Sequence, residues 1–348
     1  MNAFIPDRIS IIVPVYNAEA YLPAALDSLR GQTYADLDII MINDGSTDRS
    51  SEICAQYAAA DGRFRAFSQP NGGSGAARNA GLRQVKGEFF TFLDADDTLD
   101  PAYCEKLLAL LREEHADLAV CNFEKNGHAE AKWGPGCFEG DDILREFAEG
   151  GFYNRTPNKL YRSALFAGLA FAEGMDYAED AVWTARVLSI ARRVARIPDA
   201  LYHYRFVENS LSNTPVKPQK RMCAYYVNVL QRDEIILQGL LPKHERAQRK
   251  IALEALDIMA SMTESWFDLT LFDAYSTARA FIQNHRSLLA RFASPEASRM
   301  LADLSHISDP RQAQRIQRRR ALLSPAIPIK RKARLLFRAK NHLTRADR

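Results

Sequence analysis

Short apolar runs that stop abruptly at polar clusters recur along the first third of the chain, and they restrict its fold more than any other feature. Ile9 to Val15 (ISIIVPV) is a β-branched run ended by a turn at Tyr16-Asn17. Leu22, Ala25, Leu26 and Leu29 then recur at helical spacing up to Gly31. Ile39 to Ile42 predicts a second buried strand, broken at Asn43-Asp44-Gly45-Ser46. Ser46 or Thr47 can cap the helix that follows, with Asp48 in its first turn. Phe64 to Phe67 predicts a third strand, followed by a loop from Gln69 to Gly75 and a small-residue helix to about Val85. Phe89 to Leu93 (FFTFL) predicts a fourth strand that stops at Asp94-Ala95-Asp96-Asp97. Asp100 caps a further helix with Pro101 at its first position, and Leu118 to Phe123 is a fifth strand. Strands alternating with helices imply right-handed crossovers, hence an α/β fold with a mostly parallel sheet flanked by helices. Ligands of such sheets bind beyond the carboxyl ends of the strands. Each polar cluster named here sits at such an end.

The pattern loosens from about residue 127, with Gly and Pro between Trp133 and Gly140. A helix over Asp141–Glu149, the segment NKLYRSALF, a helix from about Glu179 to Ala191 and a strand pair near Val194–Phe206 follow. Pro215 and Pro218 mark a boundary, beyond which residues 219–305 read as helical, with an apolar stripe of Ile251, Leu253, Leu256, Met259 and Met262. Three regions result: an α/β domain over 1–215, a helical C-terminal region over 216–310 and a basic amphipathic tail over 311–348.

Charge separates the last region from the rest. The net charge of +3 conceals 13 Lys and Arg against a single acid, Asp347, in residues 311–348, which leaves the remainder at −9. Leu322, Leu323, Ile327, Ile329, Leu335, Leu336 and Phe337 lie among those cations. Such a tail is either a solvated segment or an interfacial anchor on anionic lipid. No run of about 18 apolar residues occurs, and the start MNAFIPDRIS lacks the basic region and apolar stretch of a signal peptide. Five scattered cysteines with no CxxC pair argue against a disulfide framework or a zinc cluster. A cytoplasmic protein is expected, with the tail able to hold it to the inner face of the cell membrane. A chain that is 47% hydrophobic and 26% charged is not wholly disordered.

Several clusters carry possible chemistry. Asp94, Asp96 and Asp97 place three carboxylates within four residues at a strand end. Like charges this close raise one another's pKa or demand a cation, and oxygen-only ligands suit Mg²⁺ or Mn²⁺; the alternative is a solvated acidic turn. Asp44 either closes an Asx-turn or accepts hydrogen bonds from a base or ribose. Gly72-Gly73-Ser74-Gly75, followed by Arg78 and Asn79, can bring backbone and a guanidinium to phosphate, yet matches neither the dinucleotide nor the Walker fingerprint. Glu179-Asp180 heads a helix, where the pair either rests on the helix dipole or offers a general base. Tyr202-His203-Tyr204-Arg205 combines a possible ligand or phosphate clamp with aromatic surface; the alternatives are a structural histidine and an Arg205 paired with an acid.

Taken in order, SIIVPVYNAEAYL, INDGSTD, NGGSGAARNAGL, FLDADD and the later AED resemble family 2 glycosyltransferases of the GT-A fold, over roughly residues 8–210. The resemblance implies an inverting transfer of a sugar from a nucleotide-diphospho-sugar, usually a UDP-sugar, to a glycan or lipid-linked saccharide acceptor in bacterial surface-polysaccharide synthesis. It places Pro14, Tyr16, Asn17 and Glu19 in the first nucleotide-binding loop. Asp44 then holds the uracil, and Asn71 and Arg78 line the nucleotide-sugar pocket. Asp94 and Asp96 become the two acids of a DxD motif, with Asp96 on a divalent metal (Mn²⁺ or Mg²⁺) and Asp97 assisting. Asp180 becomes the catalytic base, with Glu179 beside it. Asn158 and Lys159 of NKLYR, and His203, Arg205, Ser210 and Ser212 further on, fall in blocks near the diphosphate and acceptor. Other readings are a nucleotide-sugar-binding protein without turnover, a nucleic-acid-binding protein working through the tail and a hydrolase using the acid cluster. The full acid set opposes the first. No stacking or groove-reading motif accompanies the second, so no nucleic acid is expected as a partner, and no nucleophile accompanies the third.

Overall fold

β1 (Ile5–Val15) is the spine of the sheet. Ile9, Ile11, Ile12, Val13 and Val15 are all fully buried. Both faces of the strand are covered, which is why its sequence reads as a continuous apolar run and not as an alternation. On one side β1 pairs in parallel with β2 (Leu37–Asp44), and β2 with β3 (Phe64–Gln69). On the other it pairs in parallel with β4 (Gly87–Phe92). The crossovers that parallel pairing demands are α1 (Leu22–Arg30), α2 (Ser50–Ala60) and α3 (Ser74–Leu82). α3 is built from small residues because it lies tight on the sheet: a Cβ on Gly81 would stand 2.3 Å from Ile12 Cγ2.

Beyond β4 the sheet becomes mixed. β9 (Lys159–Arg162) runs antiparallel between β4 and β6 (Leu118–Lys125), interrupting the expected parallel order. Its chain arrives from α5 (Asp141–Glu149) and a loop over 150–158, not from a crossover helix. β6 pairs in parallel with β10 (Arg193–Tyr204), and α4 (Tyr103–Glu113) packs against it. Three short strands, β5 (Thr98–Leu99), β7 (His128–Glu130) and β8 (Gly136–Glu139), complete the sheet in antiparallel pairings. α6 (Ser163–Phe166) follows β9, and α7 (Glu179–Ile190) precedes β10.

The computed structural model describes residues 4–125, 127–130, 133–173, 177–207, 219–241, 243–264 and 272–305. Two units divide the chain, residues 1–248 and 249–348. In the first, α8 (Gln219–Gly239) packs on α7. α9 (Glu245–Glu264) begins in the first unit and continues into the second, where α10 (Phe272–Phe292) and α11 (Pro295–Ser305) follow. Ile251, Leu256, Met259, Phe281, Leu289 and Met300 are buried in that second unit. Leu253, expected in the stripe, is 44% exposed, because residues two apart do not share a helix face. Among the described residues no helix is long and apolar enough to cross a membrane. Ser210, Ser212, Pro215, Pro218 and the tail over 311–348 lie outside the described residues.

Three local expectations are corrected. The strand pair near Val194–Phe206 is one twelve-residue strand whose register on β6 shifts between Arg196 and Ala200. Pro198 sits at that irregularity. α2 begins at Ser50 and takes no side-chain cap from Ser46 or Thr47. Those residues instead bond the loop after β1: Asn17 N donates to Ser46 Oγ, and Thr47 N donates to Asn17 Oδ1. α4 begins after Pro101, and Asp100 accepts from Ala102 N at 2.8 Å in the turn before it.

Candidate active site

The site is built from loops at the carboxyl ends of β1, β2 and β4, closed by residues from α3, α7 and β10. After β1 the chain turns at Asn17, whose φ is +46°. Asn17 and Glu19 knit this loop to the one after β2: Glu19 N donates to Asp48 Oδ2, and Glu19 Oε2 accepts from Arg49 N, both at 2.9 Å. Pro14 is half-buried, and Tyr16 stands 52% exposed at the rim. Because Val15 pairs with Asn43, Tyr16 emerges level with Asp44.

Asp44 is buried and clamps the loop that leads into α3. Its Oδ1 accepts from Gln69 Nε2 at 2.8 Å and Gly72 N at 2.9 Å, and its Oδ2 accepts from Gly73 N at 2.9 Å. Gly45, at φ +69°, is packed so closely that a Cβ would stand 2.8 Å from Asn71 N. Asn71 itself is exposed.

The acid cluster follows β4. Asp97 is 2% exposed, and each of its oxygens is engaged: Oδ2 accepts from Tyr202 OH at 2.7 Å and Oδ1 from Arg205 N at 2.8 Å. Asp94 N in turn donates to the Tyr202 oxygen at 3.2 Å. Burial, then the charge of Asp94, pushes the Asp96 carboxyl up to about 6. Burial and the charges of Asp94 and Asp96 push Asp97 up as well.

Arg78, on α3, joins this cluster to α7. Its Nη2 donates to Asp94 Oδ1 at 3.0 Å, and its Nη1 to Asp180 Oδ1 at 3.1 Å and Glu179 Oε1 at 3.2 Å. Burial opposes its charge, yet Asp180, Asp94 and Glu179 together hold it protonated more firmly than a free guanidinium. Arg78 also lies over the Phe171 ring, 5.5 Å from its centroid, and Phe171 stacks on Trp183. Glu179 accepts in addition from Ser74 Oγ at 2.5 Å; burial, then the Asp180 charge, raises its pKa. Both acids stand in the first turn of α7, at the positive end of its dipole. One cation thus binds three carboxylates that are 16 to 102 residues from it in sequence.

A model of the Glycosyl transferase family 2 domain matches residues 10–174. Over 253 residues the chain is 32% identical to the uncharacterized glycosyltransferase YibD of Escherichia coli, covering 69% of this chain and 72% of YibD. The chain belongs to glycosyl transferase family 2. Among its family 2 relatives, the uncharacterized glycosyltransferase EpsJ of Bacillus subtilis is 35% identical over 221 residues, which is 60% of this chain but 64% of EpsJ, just under two thirds. The crystal structure of Staphylococcus aureus TarS 1–349 in complex with UDP-GlcNAc superposes with a TM-score of 0.65 at 22% identity, covering 89% of each chain. At that identity the likeness is one of fold, and that fold is GT-A.

Within this family 2 chain, Asp94, Asp96, Asp97, Arg78, Glu179 and Asp180 come together, with Asp44 and Asn71 on the adjoining loop. His203 does not join them. Side chains alternate along a strand; Tyr202 reaches Asp97, whereas His203 lies 3.7 Å from Glu124. The Arg205 side chain lies over Tyr21, 5.6 Å from its ring centroid, and only its backbone N–H serves Asp97. Lys159, expected near diphosphate and acceptor, is fully buried with its ammonium on backbone carbonyls. Ser74 and Tyr202 lie within clusters that the sequence marks, though with no role of their own, whereas Thr156 carries no signal in the sequence. The acid cluster fits a hard divalent cation: its donors are all oxygen, and three carboxylates stand within four residues, two of them raised first by burial and then by their neighbours' charge. Among the described residues no group of three acids, His or Cys is placed to hold an ion by itself.

Proposed function

We propose that this protein is an inverting glycosyltransferase that uses a nucleotide-diphospho-sugar, a UDP-sugar first among the candidates, and builds a surface glycan, with catalysis carried by residues 1–215. The observation that carries the reading is the single Arg78 guanidinium joining Asp180 to Asp94, the first acid of the DxD sequence. Inversion is one displacement, with a base on one side of the sugar and the leaving diphosphate on the other, as in inverting glycoside chemistry.

In that displacement the acceptor hydroxyl gives its proton to Asp180 while its oxygen bonds the anomeric carbon. The bond from that carbon to the diphosphate oxygen breaks, and its electron pair leaves on the nucleotide. Asp180 is placed for the task, in the first turn of α7 with its Oδ1 held by Arg78 Nη1 at 3.1 Å. Asp96, with Asp97 assisting, would hold Mn²⁺ or Mg²⁺, which when bound supplies Lewis-acid stabilisation of charge on the leaving diphosphate. Asp44 Oδ2 takes one hydrogen bond and keeps acceptor capacity for a uracil N–H, with the exposed Tyr16 ring and Asn71 at the same rim.

The test is Asp180→Asn, assayed by nucleotide release from a panel of UDP-sugars with Mn²⁺ and by calorimetry of UDP binding. Turnover is expected to disappear while UDP binding persists. Retained turnover, or loss of both, removes Asp180 from the role of base.

A further inference from the structure

We infer that Thr156 is a positioning residue for Asp180, and that the buried ammonium of Lys159 keeps Thr156 in place. This rests on the reading of Asp180 as the base. Thr156 is fully buried, and its Oγ1 donates to Asp180 Oδ1 at 2.9 Å. That same oxygen accepts from Arg78 Nη1 at 3.1 Å. Two donors converging on Oδ1 from two different elements fix the plane of the carboxylate. Oδ2 takes no hydrogen bond from the described residues, so it is the oxygen presented to the acceptor hydroxyl.

Thr156 lies in the loop over 150–158, which has no ladder of its own to define it. The loop is tied down from within. Lys159 Nζ donates to the carbonyls of Arg155 at 2.5 Å, Tyr153 at 3.4 Å and Pro157 at 3.5 Å, and to Asn158 Oδ1 at 2.9 Å. Tyr161 OH donates to the Thr156 carbonyl at 2.6 Å. Asn158, at φ +70°, bonds the Cys121 carbonyl on β6 through its side-chain amide. Lys159 is fully buried, and among the described residues no carboxylate lies within ion-pair distance of it. A buried ammonium is costly unless its donors are satisfied, and here carbonyls of one loop satisfy them. The consequence is a loop held rigid next to the base, and positioning of this kind governs reaction rate more than ground-state binding.

The experiment compares Thr156→Val, Thr156→Ser, Lys159→Met and the double variant T156V/K159M with the full chain, using whichever UDP-sugar of the panel the full chain turns over with Mn²⁺. Thr156→Val is expected to lower kcat by about tenfold or more, the effect of losing one charge-assisted hydrogen bond, with KM for the UDP-sugar unchanged. Thr156→Ser should restore it. If Lys159 acts through Thr156, the double variant is no slower than the slower single variant. Crystal structures of T156V and T156S give a readout independent of turnover: the Asp180 carboxylate should rotate in T156V and stay in T156S. An unmoved Asp180 in T156V, or a kcat equal to that of the full chain, overturns the inference and leaves Asp180 as base untouched. Turnover by Asp180→Asn overturns both.

Discussion

Replacing Arg78 by lysine keeps a positive charge but removes the fork, and it tests whether the site is held together by geometry or by charge alone. The guanidinium makes three charge-assisted bonds of 3.0–3.2 Å from a side chain only 6% exposed. A lysine ammonium is a single point and cannot span from Asp94 to the two acids of α7. Loss of two such bonds at about 1.5–3 kcal/mol each, partly offset by solvent reaching Asp94 and Asp180, gives about 2–4 kcal/mol. For a unit of this size that lowers Tm by roughly 5–15 °C. Arg78→Met should cost more, about 3–5 kcal/mol, since it leaves buried carboxylates without a cation. Its deficit should shrink as the pH falls, because Glu179, already raised by burial and by Asp180, then takes up a proton. Scanning calorimetry from pH 5 to pH 8, with nucleotide release on the same samples, measures both. R78K with Tm within about 2 °C of the parent and turnover within threefold would refute the reasoning, as would an R78M deficit independent of pH, which signals lost packing instead of lost charge.

Two further outcomes are expected. Asp96 stands near 6 in the folded protein against an ordinary aspartate value of 3.8, so the native state binds a proton that the unfolded chain has released. Its contribution to stability is therefore lost as the pH rises from 4 through 6. In EDTA, Asp96→Asn should be relatively more stable than the parent by up to about 3 kcal/mol above that window and show no such gain at pH 4; urea denaturation at both ends checks it, and a pH-independent difference contradicts it. Deleting residues 311–348, which carry 13 cations against one acid, should release the protein from phosphatidylserine vesicles in a sedimentation assay; unchanged partitioning assigns the tail no membrane role.

Much of the architecture was legible because parallel strands covered on both faces are mostly apolar, as β1 is over Ile11–Val15 and β2 over Ile39–Ile42. The carboxyl-end clusters were legible for the same reason: a buried strand ending in Asp-Ala-Asp-Asp delivers those acids to the carboxyl end of the sheet. Helix starts were less so. Ser46 and Thr47 have the chemistry of caps, but their hydrogen bonds go to Asn17 in a neighbouring loop, which no local window contains. The expected strand pair near Val194–Phe206 is one strand, because pairing with β6 carries it through residues 196–200 with a shifted register.

The residues of the site divide along the same line. Sequence alone determined which acids exist, which strand or helix ends present them and that the fold is an α/β sheet flanked by helices, since these follow from periodicity and from the order of the elements. It pointed Arg78 at a phosphate and held no information on which other groups the guanidinium meets. Tertiary structure decided that question by laying α3 and α7 together, so that the guanidinium satisfies three acids, and it brought Thr156 within 2.9 Å of Asp180 across 24 residues. The reason is physical. Hydrogen bonds and ion pairs act over a few ångströms of space, and the distance along the chain between their partners leaves no periodic trace in the residues between.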